Sequence, residues 1–248
     1  MALDLAHSTV DELYALARAA EDEEAYWAVV SELHTRVNDH TFRIADVLCD
    51  SFAVGERCLG ADVLGQLGAA DGQSPAEGPF ASASGRVLLR LLEEDDEPAV
   101  LSSAAIGLGH LRDDRAIDRL TALASHASPE VRRGVVHGLM GHDDDRAVHA
   151  LVLLSDDEDP SVRDWATFSL GVQIDRDTPE IREALAERLA DPDANTRDEG
   201  IRGLALRGDP RAIEPALAAE PTAEIDEAIA TLAEATGDPR LLERLEPR

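Results

Sequence analysis

The side chains of this sequence that could hold a metal or act as nucleophile or base are eight histidines, two cysteines and 51 carboxylates. His110, His126, His137, His142 and His149 crowd the middle of the chain. A zinc pair on one helix needs the spacing i, i+4, so that both imidazoles share a face, and usually brings a glutamate as general base. His137 and His142 are five apart, and no HExxH occurs. Asp191, Asp193 and Asn195 copy the opening of a calcium loop, but Thr196 stands where the turn needs glycine and Arg202 where the ion needs a bidentate glutamate. The acidic turns from Glu93 to Glu97, Asp143 to Asp145 and Asp156 to Asp159 precede helical segments, where carboxylates cap unpaired N–H groups and meet a favourable dipole. Cys49 and Cys58 carry no local cue to activation, and G-x-S-x-G is absent. The expectation is a non-catalytic protein with no metal and no cofactor.

The chemistry left is recognition, and it rests on few residues. Trp165 and Phe168 are two of only eight aromatics, and three residues apart they share a helix face. Arg133, Asp164 and Asp198 flank the corresponding face along the chain. Ile106, His137 and Arg202 stand at the same repeat offset as Phe168, the sixth residue after an apolar anchor. An aromatic island inside a polar rim has the composition of a protein-binding hot spot. The candidate site is therefore Trp165, Phe168, His137, Arg133, Ile106, Asp164, Arg202 and Asp198. The competing reading is that the two rings merely fill a groove between helices, since Trp is usually well buried.

The elements that must position these residues come from one repeated unit. DPSVRDWATFSL (Asp159 to Leu170) has relatives in EPAVLSSAAIGL, SPEVRRGVVHGL, DANTRDEGIRGL and TAEIDEAIATLA. Their anchors Val100, Val131, Val162, Thr196 and Ile225 are 31, 31, 34 and 29 residues apart, the self-similarity of stacked helical units. Apolar residues at i, i+4 and i+8, as in Val131, Val135 and Leu139, lay one buried stripe along each longer helix. Shorter helices supply the other wall through residues such as Leu120, Leu151 and Leu185. Pro98, Pro129 and Pro160 fall in first turns, where a missing N–H costs nothing. Thr9 with Glu12 forms a capping box that starts a first helix at Val10. Residues 1–68 read as divergent or capping repeats, 69–85 as a flexible Gly/Pro/Ser/Ala loop, and 86–248 as regular repeats of one continuous solenoid, with its first short helix at Val87.

This pattern resembles the HEAT-repeat family, most closely the branch named for bilin-lyase HEAT-like repeats, whose unit reads roughly D-P-x-V-R-x-x-A-x-x-x-L-G-x-L-G-D-P-R-A-I. DPSVRDWATFSLG, GLALRGDPRAI and ATGDPRLL match its parts. The resemblance implies an all-α fold, a right-handed α-α superhelix of antiparallel helix pairs, with the longer helices lining a concave wall. It also implies that Arg57, Arg132, Arg163 and Arg197, one place after the anchor position, form a ladder with aspartates of neighbouring units, weakened where Leu101 and Asp226 take the arginine's place. Relatives that bind iron do so through His-Glu dipeptides, and this sequence has none.

Charge limits the partner. The chain has 23 basic against 51 acidic residues, a net charge of -28, and every basic residue is arginine. Such a surface repels phosphate backbones, so neither nucleic acid nor an anionic membrane is an expected ligand. The expected function is a scaffold whose concave face binds another protein, a basic one being the natural complement. Two alternatives stand beside it. One is a bilin-lyase-like enzyme or chaperone acting on a chromophore or modified protein, and the other is an acidic mimic of nucleic acid that occupies a DNA-binding protein. Two thiols without a disulfide framework, no secretory pattern and no long apolar run point to a soluble cytoplasmic protein. The sequence leaves its oligomeric state open.

Overall fold

The computed structural model describes residues 5–69 and 73–245. Among these every regular element is helical. The chain divides into two compact units, Met1–Gly138 and Leu139–Arg248. The first contains α1 (Val10–Arg18), α2 (Glu23–Thr35), α3 (Asp39–Cys49), α4 (Val54–Gln66), α5 (Ala81–Glu94), α6 (Pro98–His110), α7 (Ile117–Leu123) and nearly all of α8 (Pro129–Leu139). The second holds α9 (Asp145–Leu154), α10 (Pro160–Phe168), α11 (Pro179–Arg188), α12 (Ala194–Leu206), α13 (Ile213–Ala218), α14 (Ala223–Thr236) and α15 (Pro239–Leu245).

The period expected from the anchors is the period of the core. Val100, Val131, Val162, Thr196 and Ile225 are each 0% exposed, as are Ala104, Val135, Ala166 and Ile229 one turn on. A fully buried Val, Leu or Ile contributes about 1.5–3 kcal/mol, so the seam is a major source of stability. Leu120, Leu151, Ile181 and Leu185 from the shorter helices close it from the other side. In the first unit α3 and α5 pack on α4 and α6, and α4 packs on α6. In the second, α9, α11 and α13 pack on α10, α12 and α14, which form a row of their own.

Closeness along these rows depends on glycine. A Cβ at Gly65 on α4 would lie 2.5 Å from the Gly107 Cα on α6, and one at Gly171 would lie 3.0 Å from the Gly203 Cα on α12. A sequence poor in aromatics reaches interior density by bringing helix backbones together instead.

Helix starts follow the sequence. The Thr9 hydroxyl accepts from the Glu12 amide at 3.3 Å while the Glu12 carboxylate accepts from the Thr9 amide at 2.8 Å. Asp159 accepts from the amides of Ser161 and Val162. Pro98, Pro129 and Pro160 each open their helix.

The structure departs from expectation in three places. The segment expected as a loop over 69–85 becomes a 3-10 turn at Pro75–Glu77 and is helical from Ala81, where Ser84 and Gly85 are buried in α5. Residues 70–72 of that loop lie outside the described residues. Phe80, isolated in sequence, stacks on Phe42 with ring centroids 5.3 Å apart. The arginines after the anchors do more than meet acids. Arg57, Arg132, Arg163 and Arg197 each donate from Nη1 to the two carbonyls six and five residues earlier, clamping the turn that leads into their own helix. Arg57 also pairs with Asp95 at 2.6 Å and Arg163 with Asp191 at 2.9 Å, so two rungs of the implied ladder are present.

The third departure lies beside Phe168, where α10 widens into a π-helical turn, Ser169–Gln173. A π-turn releases carbonyls from the normal ladder. Arg207 gathers carbonyls in and around this turn: Nη1 donates to the oxygens of Gly171 and, on α12, Gly203, and Nη2 to those of Leu170, Ile174 and Arg176, all at 2.8–3.0 Å.

Candidate functional site

In α10 and the π-turn that continues it, the buried stripe of Val162, Ala166 and Leu170 turns Trp165 and Phe168 away from the seam. The two rings meet edge to face, with centroids 5.8 Å apart and an interplanar angle of 89°. Trp165 keeps 38% of its surface exposed. On the neighbouring helix α12 the Arg202 guanidinium carbon lies 6.0 Å from the centre of the Phe168 ring. That guanidinium is held by Glu199, whose oxygens accept from Nη1 at 2.6 and 2.8 Å. One edge of the aromatic pair is thus fixed by a cation–π contact, and the indole faces outward.

The acids around this pair differ from those in the turns. Burial raises the Asp164 carboxyl above its ordinary range, with help from the charge of Asp193. One Asp164 oxygen is shielded from solvent with no hydrogen-bond partner. Burial likewise raises Asp198, against the opposing charges of Arg197 and Arg202, and raises Glu199 despite Arg202. In the turns, burial of Asp191 is outweighed by hydrogen bonds from Arg163 and the Asp193 amide, and its carboxyl is lowered. Asp209 is lowered by Arg211 first, and Arg182 adds to this. Turn carboxylates are satisfied, whereas those beside Trp165 are desolvated beyond what their local cations repay.

The eight expected residues are divided between the two units. Trp165, Phe168, Asp164, Arg202 and Asp198 belong to the second unit, and Ile106, His137 and Arg133 to the first. Asp198 borders a hollow of about 320 Å³ with Leu189, Arg197, Ile201 and Pro215. In the first unit Ile106 and His137 are half-buried and Arg133 is exposed. Burial, the charge of Arg133 and that of His110 push His137 down to about 4, so it is neutral at physiological pH. Sequence reasoning passed over Asp62 on α4, which accepts from Tyr26 Oη at 2.6 Å. Its signal was present: Asp62 is the sixth residue after Glu56, the offset that selected Ile106, His137, Phe168 and Arg202.

Neither thiol is poised as a nucleophile. Burial pushes Cys49 up to about 12 and Cys58 up to about 11. Among the described residues no helix is long and apolar enough to cross a membrane.

Comparison with known proteins gives the family. The YibA protein of Escherichia coli superposes with a TM-score of 0.74 at 22% identity, over 97% of this chain and 86% of that one. The complex of CpcE and CpcF of phycocyanin lyase from Nostoc sp. PCC7120 gives a TM-score of 0.55 at 17% identity, over 96% of this chain and 94% of that chain. A designed armadillo repeat protein gives 0.52 at 14% identity, over 84% and 99%. At these identities the likeness is one of fold. No functionally curated sequence matches the chain. The model of HEAT repeats matches residues 85–171 and again 151–235, more than half of the sequence. With an all-helical structure and an anchor seam buried at every repeat, the chain belongs to the HEAT-repeat family.

Proposed function

We propose that this protein is a non-catalytic repeat scaffold that binds another protein, a basic one, through the α10 and α12 face bearing Trp165 and Phe168. One observation carries the reading. An exposed indole, braced edge-on by Phe168, sits among half-buried carboxylates raised by desolvation. A rigid aromatic anchor beside desolvated carboxylates suits a cationic, partly apolar surface, which a basic protein supplies. The net charge of -28 would steer such a partner to this chain. The likeness to CpcE and CpcF, which are described as a complex, is in keeping with a fold that serves in protein assembly.

The test is affinity capture from native lysate with wild type, Trp165→Ala and Phe168→Ala, each checked for folding by its thermal transition. Basic proteins retained by the wild type should fall at least about tenfold with either variant, as at a hot spot. Undiminished capture by folded variants would remove the face from consideration.

A further inference from the structure

In the first unit, Asp62 is a carboxylate that three helices converge on and that no cation neutralises. Tyr26 of α2 donates to Oδ2 at 2.6 Å, Ser103 of α6 donates as well, and Asp62 itself projects from α4. A carboxylate offers about four acceptor positions, so two hydroxyls leave it half used. Asp62 makes no ion pair among the described residues. The acids of the turns, half-buried Asp95 and buried Asp191 and Asp209, each have an arginine partner. The titratable groups nearest to Asp62 add no positive charge. His34 is buried and donates from Nε2 to the Asp62 carbonyl at 3.0 Å, and burial keeps it neutral, as it does His110. The Cys58 thiol is raised by burial and stays protonated.

The surroundings also provide an aromatic wall. Trp27 meets Tyr26 edge to face at 5.3 Å and 81°, and its indole is 38% exposed. Asp62, Tyr26, Ser103 and Cys58 all retain partial exposure. A desolvated carboxylate without a counterion is costly to keep. Beside an accessible aromatic surface its missing partner is a cation that can also lie against a ring.

We propose that Asp62, with Tyr26, Ser103 and Trp27, forms a second binding site that seats a cationic arginine or lysine side chain of a basic polypeptide. The incoming charge takes the vacant acceptor positions of the Asp62 carboxylate while its alkyl stem lies along Trp27. This site stands independently of the Trp165 face, on different helices of a different unit.

The two tryptophans make the test selective, because Trp165→Phe leaves Trp27 as the only indole. In that background an oligoarginine peptide should change Trp27 emission saturably, and an oligoglutamate peptide should not. Asp62→Asn keeps the side chain's shape and removes its charge, and it should weaken oligoarginine binding at least about tenfold. Glu93→Gln, at an exposed acid on α5, removes one charge elsewhere and should change it less than about twofold. Equal effects of the two substitutions would mean attraction to net charge alone and would overturn the proposal. So would binding by Asp62→Asn within about twofold of its parent. Should Asp62→Asn not fold, the carboxyl-carbon NMR signal of Asp62 in the parent protein decides. It should move on adding oligoarginine, and a stationary signal overturns the proposal.

Discussion

Trp165 keeps 38% of its surface in water while valine, leucine and alanine around it are sealed, which spends the chain's largest apolar side chain on the surface. The carboxyls near it and Asp62 show the same trade, being raised by burial where an asparagine would carry no such cost. For Asp62 the sign of the effect is testable. A folded-state value above the unfolded one means the native protein holds its proton longer, so the group's cost is absent below the unfolded value, grows as pH rises from there and is complete once the pH passes the folded value. Asp62→Asn should therefore come closest to the wild type in stability at about pH 3, below the unfolded value, and exceed it most at pH 7, as read from denaturant midpoints against pH. A constant difference across that range would show that the charge of Asp62 costs nothing. At this scale the sequence was half legible. Trp165 and Phe168 stood out by offset and rarity, but the hydroxyls on Asp62 come from α2 and α6, and no local spacing announces a contact between residues 36 apart.

Elements explain why these side chains stay in place. Where an arginine follows the anchor it grips the two carbonyls entering its helix, and Asp159 and Asp193 cap the same ends from the other side. Helix identities were readable from apolar period, proline and capping residues. The carbonyl clamp was not, since an arginine next to acidic turns reads first as an ion-pair partner. The π-turn after Phe168 was illegible for a related reason: Arg207, which donates to its carbonyls, caps the end of α12, 36 residues from Gly171. Arg207→Ala would strand several buried carbonyls that each cost about 1–3 kcal/mol unpaired, with partial relief from water. We expect a loss of roughly 3 kcal/mol in unfolding free energy, with far-UV signal retained at low temperature. A loss within about 0.5 kcal/mol, the usual range for a surface substitution, would mean the turn holds without its arginine.

Across the whole molecule, one acidic composition serves two ends. Many of the 51 acids cap helices or meet arginine in the turns, and the excess of -28 draws basic partners to the molecule. Fold class was legible because a seam renewed about every 30 residues leaves a strong periodic trace. The division into two compact units was not legible, because the repeat continues across residues 138 and 139 without a change of composition. A partner held by desolvated carboxylates and an indole should resist salt better than one attracted by net charge alone, since exposed charges are screened beyond a Debye length of about 8 Å at physiological ionic strength.

The binding face can be tested most directly with the equilibrium affinity of a captured basic partner for wild type and Trp165→Ala, each at low and at physiological salt. The Trp165 face predicts a wild-type complex that persists at physiological salt and a variant weakened by about 2 kcal/mol, roughly thirtyfold. Equal affinities for the two proteins, falling together as salt is added, would contradict it.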